Sequence, residues 1–357
     1  LLPNSISIRD IAHIAGVSIG TVDRVIHNRG QVAQDTRIRV LKAIEELQYV
    51  PNVLARTLAS KKISNIAILL PSSENNPYWK QPLEGIQQAA REILPFNFNV
   101  QLFLFDYSNE ESFRSQCSAA LLQKPAGIIL APLFNSSALS FVQECDKAKI
   151  PFVFLDEIIN NCTPLAYFGQ NSVQSGRVAG RLLLTSLKTI ENIAVFELHT
   201  ANAPSYHIEL REKGFFDYFE NNIEVNNSQK SKLIFPINLE NANDEFERIL
   251  KQHPDIQGIF VPNSRSYILA HWLSENYNRK IIIIGYDLLD ENFFWLNNGV
   301  IDFLLCQRPQ EQGYKSIMAL FNFLFYNRNT EKFNYCPIDV ILKENSEYYH
   351  NFQKNFV

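Results

Sequence analysis

The sequence predicts an α/β protein: a small all-α headpiece followed by a larger doubly wound α/β body. Three observations carry that expectation. Within the first fifty residues, apolar side chains recur at helical spacing around a single glycine turn. From Asn65 onward, short continuous apolar runs alternate with amphipathic stretches. The chain has 357 residues, more than one compact core usually organises.

In the headpiece, Ile8, Ile11, Ala12 and Ala15 lie at helical spacing, and Ser7 followed by Asp10 reads as a capping box. Gly16-Val17-Ser18 then breaks the pattern: Gly16 tolerates a turn conformation and Ser18 can cap a second helix. That helix, about 18–27, buries Val22, Val25 and Ile26. It leaves Ile19, Gly20, Asp23, Arg24 and His27 near the other face, with Thr21 at the margin. A third helix, about 36–48, turns Ile38, Leu41, Ile44 and Leu47 inward. Three short helices with a tight turn between the first two describe a helix-turn-helix unit. The second helix of such a unit fits the major groove, N-terminal residues toward the base edges. Arg24, Arg29, Arg37 and Arg39 then stand where phosphates pass. Spacing alone fits a protein-binding three-helix bundle equally well. Charge adds to the first reading: residues 1–62 hold nine Lys/Arg against five Asp/Glu, on a chain whose net charge is −4.

The run Ser7-Ile8-Arg9-Asp10-Ile11-Ala12, Ala15-Gly16-Val17-Ser18 and Thr21-Val22-Asp23-Arg24-Val25-Ile26 resembles the lactose-repressor (LacI/GalR) family. The likeness continues through Thr36-Arg37, Ala43-Ile44-Glu45-Glu46-Leu47, Tyr49-Val50-Pro51-Asn52, Ala55-Arg56 and Leu58. It implies DNA contacts from Ser18, Ile19, Gly20, Thr21, Asp23, Arg24, Arg29 and Gln31. It also implies a hinge helix at 52–60 that folds on the operator, with Asn52 at its start, Ala55 and Ala59 as close-approach residues and Leu58 as a minor-groove wedge. Nine residues are too short to hold a helix alone, so folding coupled to DNA binding is physically reasonable. Four positions depart from the family pattern. Asp23 stands where Ser is usual, Ile19 and Gly20 occupy the base-reading positions, and Ala33 replaces a capping hydroxyl.

In the body, residues 66–70, 100–106, 127–132, 151–156, 193–198, 232–237, 258–262 and 281–287 read as strands. A helix opens at Asn76-Pro77 and runs to about Ile93. The apolar runs are continuous rather than alternating, as parallel strands covered on both faces require. Ligands bind beyond the C-terminal ends of such strands. No membrane-length apolar run, signal-like start, GxGxxG, Walker loop, HExxH or GxSxG is evident. The five cysteines are far apart with no CxxC, as expected of reduced thiols. Asp156-Glu157 reads as a strand end whose side chains point apart, and His207 as a packed or surface residue. No catalytic, metal or cofactor site is expected.

The strand ends share amides, acids and aromatics: Asn76, Tyr78, Trp79, Asn135, Asn263, Asp287 and Gln307. Amides and carboxylates hydrogen-bond hydroxyl pairs while rings stack on apolar sugar faces, so a polyhydroxylated ligand is expected. Residues about 64–345 are similar to the ligand-binding part of the same family and to periplasmic sugar-binding proteins. The likeness rests on Asn76-Pro77-Tyr78-Trp79, Glu84-Gly85-Ile86, Phe168-Gly169-Gln170-Asn171, Gly214-Phe215, Ile284-Gly285-Tyr286-Asp287 and Gln307 with Pro309. It implies a periplasmic-binding-protein-like type I body of two discontinuous lobes, 64–165 with 308–336 and 166–307 with 337–357. It also adds Arg211 to the effector set of Asn76, Tyr78, Trp79, Asn135, Asn263, Asp287 and Gln307. Gln170 departs from the family's Asp. Arg211 and Arg265 would also suit a sugar acid. The expected protein is a cytoplasmic, non-enzymatic homodimer, with no membrane partner, that binds double-stranded operator DNA under control of a sugar-like effector. A transport-type sugar-binding protein is the competing expectation.

Overall fold

A computed structural model describes residues 6–26, 30–47, 49, 63–74, 76–187, 192–200, 206–221 and 232–354. The chain divides into two units, Leu1–Lys62 and Ile63–Val357. Arg29, Asn52, Ala55, Leu58 and the expected hinge at 52–60 lie outside the described residues.

The first unit packs α1 (Ile8–Ala15), α2 (Ile19–Ile26) and α3 (Gln34–Glu46) around Ile11, Ala15, Val22, Val25, Val40 and Ala43. The Asp10 carboxylate accepts from the Ser7 N–H and hydroxyl, both at 2.7 Å, and these bonds hold its pKa below the ordinary value. Gly16 ends α1 at φ +62°, a left-handed conformation strained for any side chain. Ser18 Oγ accepts from the Thr21 N–H at 3.2 Å, opening α2. Ala33 gives α3 no side-chain cap.

The inward face of α3 differs from the expected one. Val40 and Ala43 are buried, whereas Ile38 and Leu41 are 57% and 50% exposed. A strict three-residue repeat drifts by about 60° per step on a helix of 3.6 residues per turn, so Ile38 and Leu47 cannot share a face. Val40, Ala43, Ile44 and Leu47, spaced three and four apart, do.

The second unit is built on two six-stranded sheets. The first holds β1 (Ser64–Pro71), β2 (Phe98–Phe105), β3 (Gly127–Leu130), β4 (Phe152–Asp156), β5 (Ala166–Gly169) and β11 (Phe333–Tyr335). All are parallel, in the order β11-β5-β4-β3-β1-β2. The second holds β6 (Asn192–His199), β7 (Lys232–Asn238), β8 (Ile256–Phe260), β9 (Ile282–Tyr286), β10 (Phe303–Cys306) and β12 (Asp339–Ile341) in the order β12-β10-β9-β8-β6-β7. Only β12 is antiparallel. The central strands β1, β3 and β4 are almost wholly buried, as continuous apolar runs require. The edge strands β2 and β7 instead mix exposed and half-buried positions, since one face of each is incompletely covered.

The chain crosses between the sheets three times: after β5, after β10 and after β11. Because β5 pairs with β4, the first crossing follows Gly169 rather than preceding Ala166 as the expected lobe boundary had it. Gln170 ties the crossings together, its Nε2 donating to the carbonyls of Cys306 at 3.2 Å and Pro337 at 3.3 Å.

Each lobe carries a pair of closely approaching helices. In the first lobe α4 (Lys80–Ile93) meets α12 (Pro309–Tyr326), and a Cβ on Gly85 would fall 1.9 Å from the Gln310 carbonyl oxygen. In the second lobe α7 (Ser172–Ser186) meets α8 (Tyr206–Glu220), and a Cβ on Gly176 would fall 1.9 Å from the Arg211 carbonyl oxygen. All five cysteines are free thiols. Among the described residues no helix is long and apolar enough to cross a membrane.

Candidate functional site

In the first unit, Ser18, Ile19 and Gly20 lie exposed at the start of α2, with Thr21 and Asp23 half-buried beside them. Burying Val22 and Val25 forces this presentation, because the two core residues fix which side of α2 faces outward. Ile19 is 49% exposed, an apolar side chain free to meet a thymine methyl. The exposed Arg24 side chain folds back, Nε donating to the Gly20 carbonyl at 3.1 Å. Gln31, Arg37 and Arg39 are exposed as well.

In the second unit, a cleft forms where the strand ends of the two sheets face each other. The first lobe supplies Asn76, Tyr78 and Trp79 after β1, Tyr107 after β2, Leu133 after β3 and Asp156 at the end of β4. The second supplies His207 and Arg211 from α8, Asn263 to Arg265 after β8, Asp287 after β9 and Gln307 after β10. Seven of the eight expected cleft residues are thus brought together. The eighth, Asn135, is not: it opens the following helix (Asn135–Ala148) and lines a separate depression with Asn160, Asn161 and Tyr206. Sequence position after a strand could not tell the cleft rim from its interior. The space left between the cleft side chains is about 30 Å³, room for roughly two or three waters.

The polar groups form a connected network. The Tyr78 hydroxyl donates to Asp156 Oδ1 at 2.6 Å. Arg211 donates to the Pro262 carbonyl at 2.9 Å and to Gln307 Oε1 at 3.2 Å, while its guanidinium lies 3.8 Å from the Tyr286 ring centroid. Gln307 Nε2 in turn donates to Asp287 Oδ2 at 3.3 Å. Burial pushes the Asp287 carboxyl up to about 7, against the opposing pull of Arg211 and with a further push from Asp156. Asp156 is also raised, chiefly by burial and partly offset by His207. Burial works against the charge of Arg211, but Tyr286, Asp287 and Asp156 leave its pKa raised overall. Burial and the facing Asp156 keep the Tyr78 phenol protonated far above its usual range, so it acts as a donor. Three buried atoms of this cleft have no hydrogen-bond partner among the described residues: Trp79 Nε1, Arg211 Nε and Asp287 Oδ1. Two donors and an acceptor left open in a buried cleft match a hydroxylated ligand.

One expectation is corrected here. Asp156 and Glu157 do not point apart: Asp156 sits at φ +68° and the Glu157 N–H bonds back to the Leu155 carbonyl at 2.8 Å. The strand's alternation ends at this tight turn, which throws both carboxylates to one side. His207, expected to be a packed or surface residue, meets them, Nδ1 lying 2.7 Å from Glu157 Oε1. Donor atoms of Asp156, Glu157 and His207 lie within 4.8 Å of one another. The Glu157–His207 pair spans the cleft, one residue from each lobe. Nothing local marks His207; only the sheet order brings it there. Arg265, which the sequence reading named only as an acid-binding option, lies over the Tyr107 ring at 5.4 Å, a second contact between lobes.

A helix-turn-helix unit joined to a two-lobed cleft receptor defines a class: ligand-controlled regulators that bind DNA. Residues 7–52 match the bacterial regulatory proteins of the lacI family, and residues 66–326 match the periplasmic binding protein domain. The chain belongs to the lacI family of bacterial regulatory proteins, with a periplasmic-binding-protein body. It is 29% identical to the ribose operon repressor of Halalkalibacterium halodurans over 79% of this chain and 80% of that one. It is 26% identical to the sucrose operon repressor of Lactococcus lactis over 81% and 86%. Among solved structures, a Bacteroides fragilis protein provisionally classed as a LacI transcriptional regulator superposes with a TM-score of 0.74 at 31% identity. That match covers 81% of this chain and all of that one.

Proposed function

We propose that this regulator represses transcription as a cytoplasmic homodimer on a near-palindromic operator, and that a small carbohydrate in the cleft sets its DNA affinity. One observation carries the effector class: Trp79 Nε1, Arg211 Nε and Asp287 Oδ1 are buried and unpartnered beside Tyr78, Asn76 and Asn263. That set of donors, acceptor and rings suits paired hydroxyls on a compact ring. The contacts assigned to DNA are Ser18, Ile19, Gly20, Thr21, Asp23, Arg24, Arg29 and Gln31, with Asn52, Ala55 and Leu58 in the hinge. The relatives named as sucrose and ribose operon repressors support the same reading. A transport-type binder with no DNA role does not account for the lacI match over residues 7–52.

The test is selection of DNA from a random-sequence pool by the full chain, then anisotropy titration of the selected duplex with and without sugars. A two-fold-symmetric consensus whose affinity shifts by tenfold or more with one sugar is expected. Failure to enrich any sequence removes the operator; indifference of the selected complex to every carbohydrate removes the effector.

A further inference from the structure

The cleft does not end at the network described above. A second chamber of about 170 Å³ adjoins it, and Asp156 and His207 line both. Its walls include Tyr167, Tyr206, Tyr335, Val173 and Leu210, with Gln170 among the polar groups. We propose that this chamber takes a second sugar ring, so that the effector is a neutral two-ring carbohydrate lying across the Glu157–His207 junction. The proposal rests on the carbohydrate reading given above and narrows it.

Four observations support it. Gln170 is 3% exposed and its Oε1 has no partner among the described residues. Its Nε2 is committed to two carbonyls, Cys306 and Pro337, which fixes the orientation of the amide and leaves an acceptor. An acceptor calls for a hydroxyl or N–H donor. Next, the Tyr167 hydroxyl is engaged with the carbonyls of Asp156 and Gln170, at 3.0 and 3.2 Å, and its ring, 3% exposed, backs the chamber wall. Tyr335 packs edge-on against that ring at 6.0 Å and is 54% exposed, a rim position. Aromatic faces beside an open acceptor suit the C–H face and hydroxyls of a pyranose or furanose. Third, among the described residues the lining contains Asp156 and Glu157 but neither lysine nor arginine, which disfavours a phosphate or uronate here. Fourth, the second chamber has about 170 Å³ of space against about 30 Å³ in the first.

The test uses the full chain, with binding read by isothermal titration of glucose, galactose and fructose against maltose, cellobiose, lactose and sucrose. Val173→Phe and Leu210→Phe each fill the second chamber, and affinity for selected operator DNA serves as the folding control. At least one disaccharide is expected to bind tenfold or more tightly than its component monosaccharides. Each variant should remove at least tenfold of that affinity while DNA affinity stays within twofold. Preference for a single ring, or disaccharide binding indifferent to both variants, overturns the second chamber and leaves the carbohydrate reading standing. Binding of neither sugar size, with DNA binding intact, overturns both.

Discussion

Two aspartates show how much of the chemistry is decided at single residues. Asp156 and Asp287 end matching strands of the two lobes, and both adopt positive φ, +68° and +59°. Such backbone costs about 1–3 kcal/mol for a residue with a side chain, so the surrounding fold must hold it. It turns each carboxylate into the cleft. In the unfolded chain Asp287 ionises near the ordinary 3.8, in the cleft near about 7. The folded state therefore retains a proton that the unfolded chain releases, and this contribution to stability is lost as pH rises from about 4 to 7. Denaturant midpoints should show the wild type losing ground to Asp287→Asn across that window, by an upper bound on the order of 4 kcal/mol, with no further change above it. Parallel stability curves would count against the buried, raised carboxyl. Effector affinity should instead rise as pH passes through about 7, where the folded-state carboxyl ionises, because the ionised Oδ1 is the better acceptor. Trp79→Phe keeps a six-membered aromatic ring and deletes the orphan N–H with the five-membered ring that carries it. We expect about tenfold weaker effector binding, the worth of one buried hydrogen bond, beside a modest fall in melting temperature from the trimmed core side chain. An unaltered titration would take Trp79 Nε1 out of the site.

Among the elements, the α7–α8 pair matters most to the cleft, since α8 carries both His207 and Arg211. The two helices touch through Gly176 and Gly214, whose added Cβ atoms would each fall 1.9 Å from a backbone oxygen of the other helix. Gly176→Ala should push α8 outward, destabilise the fold by about 1–3 kcal/mol and weaken effector binding beyond what the stability loss explains. A calorimetric melt with a paired titration checks this; full-strength effector binding would show that α8 need not sit so close. The headpiece helices and most strands were legible in the sequence, because capping, the Gly16 turn and apolar spacing are encoded within a few neighbouring residues. The inward face of α3 was not legible in the same way, since a run of threes mimics a helical stripe over two steps and then drifts off it. Strands β5, β10, β11 and β12 have only three or four residues each, too few to show a period.

For the molecule as a whole, the consequence is linkage. If carbohydrate changes operator affinity, operator must change carbohydrate affinity by the same factor. Three side-chain features stand where lobe movement would be felt: Gln170 at the crossings, the Glu157–His207 pair across the cleft and Arg265 over Tyr107. Leu58→Ala, in the segment the family likeness assigns to the hinge, should weaken operator binding by tenfold or more and leave effector affinity of the DNA-free protein within twofold. Equal loss of both would contradict a wedge acting only on DNA.

By itself the chain's sequence determined the helix-turn-helix unit, the succession of parallel strands and the chemistry available at their ends, since each depends on residues close together along the chain. It also placed Asn76, Tyr78, Trp79, Asn263, Asp287 and Gln307 at strand ends, and the family likeness added Arg211. Tertiary structure alone decided that Asn135 turns elsewhere, that β5 completes the first sheet and that Gln170 fastens the crossings 136 and 167 residues downstream. It alone brought His207 to Glu157, 50 residues away. Local order is set by torsion and hydrogen-bonding rules acting over a few residues, whereas a cleft is made by the order of strands in two sheets, which no short stretch encodes.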